Sequence, residues 1–203
     1  MTGVIDYGAG NLGSVMNALA RVGAPARFVR GPEELESKNS GLDKIIFPGD
    51  GHFGSAMAAL AQSGYDTAIK HWISLEKPFL GICIGLQLLF ESSEEAPGVA
   101  GLGVLTGGAR LFKAKKVPQI GWNRTRIDVK NPFFSGLEEN PFFYYIHSYY
   151  VVPKNRQEIA ASADYDVEFC AAVKCGSVFA VQFHPEKSGD AGLALLKNWT
   201  DFH

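Results

Sequence analysis

The sequence predicts an α/β protein: a central, mostly parallel sheet with flanking helices, extended by an antiparallel part in the C-terminal half. Three observations lead there. Over the first 90 residues, short apolar runs alternate with helix-period segments, the pattern of parallel strands joined by crossover helices. The second half replaces helices with closely spaced strand-like runs. Between the two lies "GICIG" (Gly81 to Gly85), a cysteine between glycines where an apolar run changes from strand to helix.

The elements follow in order. Thr2 to Asp6 reads as a short apolar strand entering the glycine-rich loop "DYGAGN". Asn11 is a good helix N-cap. Leu12, Val15, Met16 and Leu19 then recur at helical spacing, and Gly23 closes that helix. Ala26 to Val29 is the next strand, and Pro32-Glu33-Glu34-Leu35 opens a second helix with acidic residues in its first turn. Lys44 to Phe47 is a strand stopped by "PGDG". Helices over 55–62 and 66–75 lead to the strand Phe79 to Cys83 and a helix over Leu86 to Phe90. "SSEEAPGVAG" reads as a surface loop. Strands are expected at Thr125 to Val129, Phe143 to Val152, Ile159 to Ala163, Phe169 to Lys174 and Val178 to Phe183. "KCGS" is a hairpin turn between the last two, and "GDAGLALLKNW" is a terminal helix. With no repeat, low-complexity tract or linker, residues 1–203 read as a single domain.

Composition narrows the function classes. At 46% hydrophobic and 20% charged residues, the 203-residue chain is ordinary for a globular protein. A net charge of −2 gives no electrostatic case for nucleic acid or an anionic membrane. No apolar run reaches the ~20 residues of a membrane helix. The N-terminus lacks the regions of a signal peptide. Three scattered cysteines make no disulfide framework. The expectation is a soluble cytoplasmic protein. No His, Cys, Asp and Glu spacing offers a metal set, and "DYGAGN" lacks the G-x-G-x-x-G and Walker lysine of phosphate loops. Neither metal nor cofactor is expected.

Gly81-Ile82-Cys83-Ile84-Gly85 is the thiol version of a nucleophile elbow. The glycines permit a sharp turn and close approach of helix to strand. The helix N-terminus supplies backbone N–H groups and partial positive charge, which favour thiolate. A buried structural cysteine is the plainer alternative. A thiol nucleophile needs a base. In "VFAVQFHPEKSGD", strand alternation would put His184 and Glu186 on one side, the carboxylate fixing the imidazole's tautomer. A capping histidine beside a solvated glutamate is the alternative. An oxyanion hole could draw on the Ile84 N–H and on a backbone N–H from "PGDG", around Asp50 and Gly51, unless that segment is a plain β-turn. Cys170 and Cys175 read as packing residues.

With these motifs, the chain resembles the class I, triad-type glutamine amidotransferases. "DYGAGNLGSV", "PQIGWN", "HSYYV" and "QFHPEKS" are most similar to the glutaminase subunits of imidazole glycerol phosphate synthase, nearly end to end. The resemblance implies that family's flavodoxin-like fold. It implies Cys83 as nucleophile forming a glutamyl thioester, with His184 as base and acid oriented by Glu186. Gln87, Gly51 and the backbone around Ser148 and Tyr149 would hold glutamine. It further implies ammonia delivery to a (β/α)₈ barrel cyclase, as a heterodimer, for imidazole glycerol phosphate and AICAR formation in histidine biosynthesis. Asn11, Pro118, Trp122, Asn123, Tyr144 and Lys187 match positions facing that partner, with core packing the alternative for Trp122 and Tyr144. Asp50 departs from the family, which usually carries an apolar residue there. Rival expectations are a sister subunit feeding a surface-polysaccharide sugar, a non-enzymatic scaffold, and a cysteine peptidase.

Overall fold

A computed structural model describes residues 1–8, 10–37 and 40–202. Its first half alternates as the periodicity requires: β1 (Thr2–Ile5), α1 (Leu12–Arg21), β2 (Ala26–Val29), α2 (Glu33–Glu36), β3 (Lys44–Phe47), α3 (Phe53–Ser63), α4 (Tyr65–Ser74), β4 (Phe79–Ile82) and α5 (Ile84–Gln87). Then come β5 (Ser92–Ser93), β6 (Gly107–Leu111), β7 (Gln119–Ile127), β8 (Phe142–His147), β9 (Tyr149–Pro153), β10 (Ile159–Asp164), β11 (Glu168–Cys175), β12 (Val178–Val181) and α6 (Gly189–Asp201). The main sheet runs β2-β1-β3-β4-β12-β11-β10-β7-β8, and a small one runs β5-β6-β9. β2, β1, β3, β4 and β12 are parallel; β11, β10, β7 and β8 add on antiparallel. β4 therefore lies between two parallel neighbours, and its carboxyl end opens at the crevice where ligands bind in such sheets.

The core forms because apolar side chains alternate across these short strands. Ile5, Ile45, Phe47 and Phe79 pack on one face against Phe53, Leu60 and Trp72. Val4, Ile46, Leu80 and Ile82 pack on the other against Leu195, Leu196 and Trp199. Asn11 caps α1 by accepting from the Ser14 N–H at 3.3 Å. Lys44 is almost fully buried, and its Nζ donates to the Thr200 and Phe202 carbonyls at 2.6 and 2.8 Å. It thus caps the C-terminal end of α6, where carbonyls lack helix partners. Lys44→Met should lower unfolding free energy by about 1–3 kcal/mol in a urea titration, since part-buried acceptors lose a charged donor. An unchanged urea midpoint would contradict this.

Several expectations change. Phe143 to Val152 is two strands in different sheets, not one. His147 pairs with Gln119 in the main sheet, while Tyr149 pairs with Leu111 in the small one, so the chain changes partners at Ser148. The helix expected over Leu86 to Phe90 starts at Ile84 and makes a single turn. Within the expected loop at 92–101, Ser92 and Ser93 pair with Gly108 and Ala109 of an unforeseen strand, β6. Cys170 is buried as a packing residue should be, but Cys175 is exposed beside the hairpin turn.

Candidate active site

β4 ends at Ile82, and Cys83 takes φ 56°, ψ −109°, a strained conformation for a side-chain-bearing residue. Its N–H is held by the Val181 carbonyl of β12 at 2.8 Å. Both flanking glycines are required by contact. A Cβ on Gly85 would lie 2.1 Å from the Phe47 carbonyl oxygen, and one on Gly81 would lie 2.8 Å from the Gly85 oxygen. The elbow thus presses α5 against β3 and lifts Cys83 over the carboxyl end of the sheet, with the Ile84 N–H in the first turn behind it.

β12 stops at Val181, so strand alternation does not place His184 and Glu186. A 3₁₀ turn over Pro185–Lys187 does, folding Glu186 back to accept from His184 Nδ1 at 2.8 Å. The two side chains are only 6% and 2% exposed. This fixes the Nδ1–H tautomer and turns the buried Nε2 away from the carboxylate. Burial opposes charge on His184, but the neighbouring Cys83 sulfur and Glu186 outweigh it and raise its pKa from 6.5 to about 10. Among the described residues, Nε2 has no hydrogen-bond partner of ordinary geometry, and Cys83 is the neighbour that most raises the ring's pKa. The His184 backbone is held as well: its N–H donates to the Tyr144 carbonyl at 2.9 Å. Ser188 Oγ donates to the His184 carbonyl and accepts from the Tyr144 N–H.

The "PGDG" segment follows β3. Gly49 sits where a Cβ would be 2.2 Å from Ile84 Cγ2 and 2.4 Å from the Tyr7 hydroxyl. That hydroxyl is buried, and burial, then the charges of Asp50 and Cys83, push its pKa up. Gly51 has φ 88°. The Asp50 carboxylate accepts from the Gly10 N–H at 2.9 Å, tying the segment to the β1–α1 loop. Among the described residues no ion pair joins it to Lys187. Asp50→Val removes both this tether and a negative charge beside the site. Alkylation of Cys83 at neutral pH should then speed up by about three- to tenfold. An unchanged rate would mean the carboxylate has no influence on the thiol.

A cavity of about 270 Å³ opens over the elbow. Asp50, Gly51, Cys83, Ile84, Gln87, Pro118, Ser148, Tyr149 and His184 line it, all singled out in the sequence. So do Glu95, Ile146 and His147, which were not. His147 Nδ1 contacts the Tyr149 carbonyl and Nε2 contacts the Gln119 amide, each at 2.8 Å. Burial lowers its pKa to about 4, so the ring is neutral. Nδ1–H donates to the carbonyl, and the Gln119 amide must then turn its NH₂ toward Nε2. Gln182 is a further buried polar side chain, within hydrogen-bonding reach of Cys83. The visible hint was one polar residue inside the apolar run "VFAVQF".

The remaining residues divide. Trp122 is 55% exposed and meets Tyr144 edge-on at 6.0 Å, which excludes core packing for Trp122. Exposed Ile120, Phe142 and Ile146 continue that face of β7 and β8. Asn123 donates its amide to the Asp164 carbonyl, Asn11 is committed to capping α1, and Lys187 is half-buried beside His184.

Residues 3–201 match the family described as "Glutamine amidotransferase class-I". The chain is 42% identical to the imidazole glycerol phosphate synthase subunit HisH of Wolinella succinogenes, over 99% of each chain. It is also 42% identical to the imidazole glycerol phosphate synthase hisHF of Emericella nidulans, covering 98% of this chain and 37% of that one. In fold, PurLQS from Thermotoga maritima matches with a TM-score of 0.77 and 20% identity, over 98% and 97% of the two chains.

Proposed function

Because the chain belongs to the class-I glutamine amidotransferases, among the HisH subunits of imidazole glycerol phosphate synthase, we propose that Cys83, His184 and Glu186 hydrolyse glutamine to glutamate and ammonia. One observation carries this reading: a strained cysteine and a histidine paired with a buried glutamate open onto a single cavity. Cys83 Sγ attacks the side-chain amide carbon of glutamine. The Ile84 N–H and an N–H of the Asp50–Gly51 segment donate to the developing oxyanion, stabilisation concentrated in the transition state. Protonated His184 Nε2 gives its proton to the departing nitrogen, releasing ammonia and leaving a glutamyl thioester. Water then attacks the thioester, His184 takes its proton, and glutamate leaves. Glu186 holds the ring throughout. Gln87 and the backbone at Ser148 and Tyr149 hold the substrate. Glu95 and Asp50, the acidic side chains of the cavity, suit the ammonium of a free amino acid.

Ammonia passes to a (β/α)₈ barrel cyclase that forms imidazole glycerol phosphate and AICAR in histidine biosynthesis. The Emericella relative supports this partnership, because the chain accounts for only 37% of it. Residues 1–203 act as one cytoplasmic domain, with Trp122 and Tyr144 at the centre of the docking face and Asn11, Pro118, Asn123 and Lys187 around it. No helix among the described residues is long and apolar enough to cross a membrane.

The isolated chain should hydrolyse glutamine poorly, and the cyclase with its nucleotide ligand should raise turnover at least tenfold, a coupling of about 1.4 kcal/mol or more. Equal turnover with and without the liganded partner would contradict this. Trp122→Ala should weaken association or activation while the unfolding midpoint stays put. A core tryptophan would instead lose about 3–5 kcal/mol of stability.

A further inference from the structure

We propose that Gln182 is a positioning residue for the nucleophile, the end of an amide relay that aims an N–H at the Cys83 sulfur; this rests on the glutaminase reading above. Gln182 is the residue after the end of β12, fully buried, and its own N–H is fixed to the Ala171 carbonyl at 2.8 Å. Its side chain lies between Gln87 and Cys83. Side-chain amides are ambiguous in orientation, but this one is determined by its neighbours. The Tyr149 carbonyl can only accept, so Gln87 must present its NH₂ there, at 2.9 Å. The second hydrogen of that NH₂ then points to Gln182, whose Oε1 accepts at 3.1 Å. Gln182 is left with its Nε2 toward Cys83 Sγ, at 3.7 Å, within hydrogen-bonding distance of sulfur. Each orientation follows from the one before, starting at a peptide group of β9.

The relay has a chemical consequence. An N–H donated to sulfur favours the thiolate, because hydrogen bonds to an ion are stronger than those to its neutral form. It also links the Tyr149 backbone, which lines the cavity, to the nucleophile beyond the reach of solvent. His147 Nδ1 donates to the same Tyr149 carbonyl, so the starting point is held from two sides.

The test is alkylation of Cys83 by iodoacetamide across pH, in the full chain without glutamine. Gln182→Met keeps the volume and removes the donor. Alkylation at pH 7 should slow about tenfold, and the rate should approach wild type at high pH, where the thiol ionises unaided. Gln182→Glu, which replaces the donor by a carboxylate, should slow it more. A merely structural glutamine would leave the pH profile in place, so a superimposable profile in the folded Met variant overturns the proposal. Should neither variant fold, side-chain ¹⁵N resonances of the wild type decide. The Gln182 NH₂ protons should shift with Cys83 ionisation, and an unmoved signal overturns the proposal equally. Glutamine turnover of the wild type is measured separately. Its absence would remove the glutaminase reading while leaving the alkylation result intact.

Discussion

Cys83→Ala should lower glutamine hydrolysis by a factor on the order of 10⁴ or more, because a covalent route through a thioester loses its only nucleophile. The protein should otherwise survive. Alanine has a Cβ, as cysteine does, so the φ of 56° at the elbow is no more strained than before. The Val181 carbonyl still receives the residue's N–H. The variant should remain folded, its thermal midpoint shifted only by the loss of the sulfur's pairing with charged His184, and the cyclase pair should still work on ammonium salts. The measurement is a coupled glutamate assay on the liganded pair, with ammonium-dependent cyclisation as internal control. Glutaminase turnover within tenfold of wild type would remove Cys83 from the chemistry.

His184→Ala should approach the cysteine variant, at about 10³-fold or more, since attack and departure both need a proton carrier at Nε2. Glu186→Gln should be milder, at about 10²-fold below wild type, because an amide keeps the shape but not the charge and can favour the wrong tautomer. Stability should change with pH in a definite direction. The folded-state pKa of His184 is raised from 6.5 to about 10, despite burial, by Cys83 and Glu186. Its charge therefore stabilises the fold fully below pH 6.5, and that contribution fades as pH rises through about 10. Glu186→Gln should be most destabilised relative to wild type in the acidic part of this range, with the gap narrowing at high pH. A gap that widened with pH would mean the pair is not held as an imidazolium with its carboxylate. Urea unfolding at several pH values measures it.

Much of this arrangement was legible in the sequence, for identifiable reasons. Buried parallel strands are short apolar runs, so Ala26–Val29 and Lys44–Phe47 could be bounded to the residue. The elbow could be read because two glycines must flank it, and each is packed against backbone. The proximity of His184 and Glu186 was foreseen with the wrong cause: a 3₁₀ turn, not strand alternation, brings them together. Other features had no decisive local sign. In "FFYYIHSYYVVP" the polar pair His147-Ser148 interrupts an aromatic and aliphatic run, but without a glycine or an internal proline the stretch still reads as one strand, although one sheet is left for another at Ser148. Gly107 and Gly108 concealed β6, because glycine is a weak strand former whose place here is set by its partners in β5 and β9. The cavity's contributions from Glu95 and His147 depend on elements meeting in space, which spacing along the chain does not encode.

The Tyr144 peptide deserves a different kind of experiment. Its ring stands with Trp122 on the outer face, while its carbonyl and N–H hold the His184 N–H and the Ser188 hydroxyl. Alanine scanning is blind to such a connection, because truncating the ring leaves both backbone groups in place. An amide-to-ester replacement at residue 144 would delete the N–H and keep the ring. Side-chain and backbone substitutions at this one position therefore report separately on recognition and on the seating of the imidazole, and a survey restricted to the twenty ordinary side chains would conflate the two.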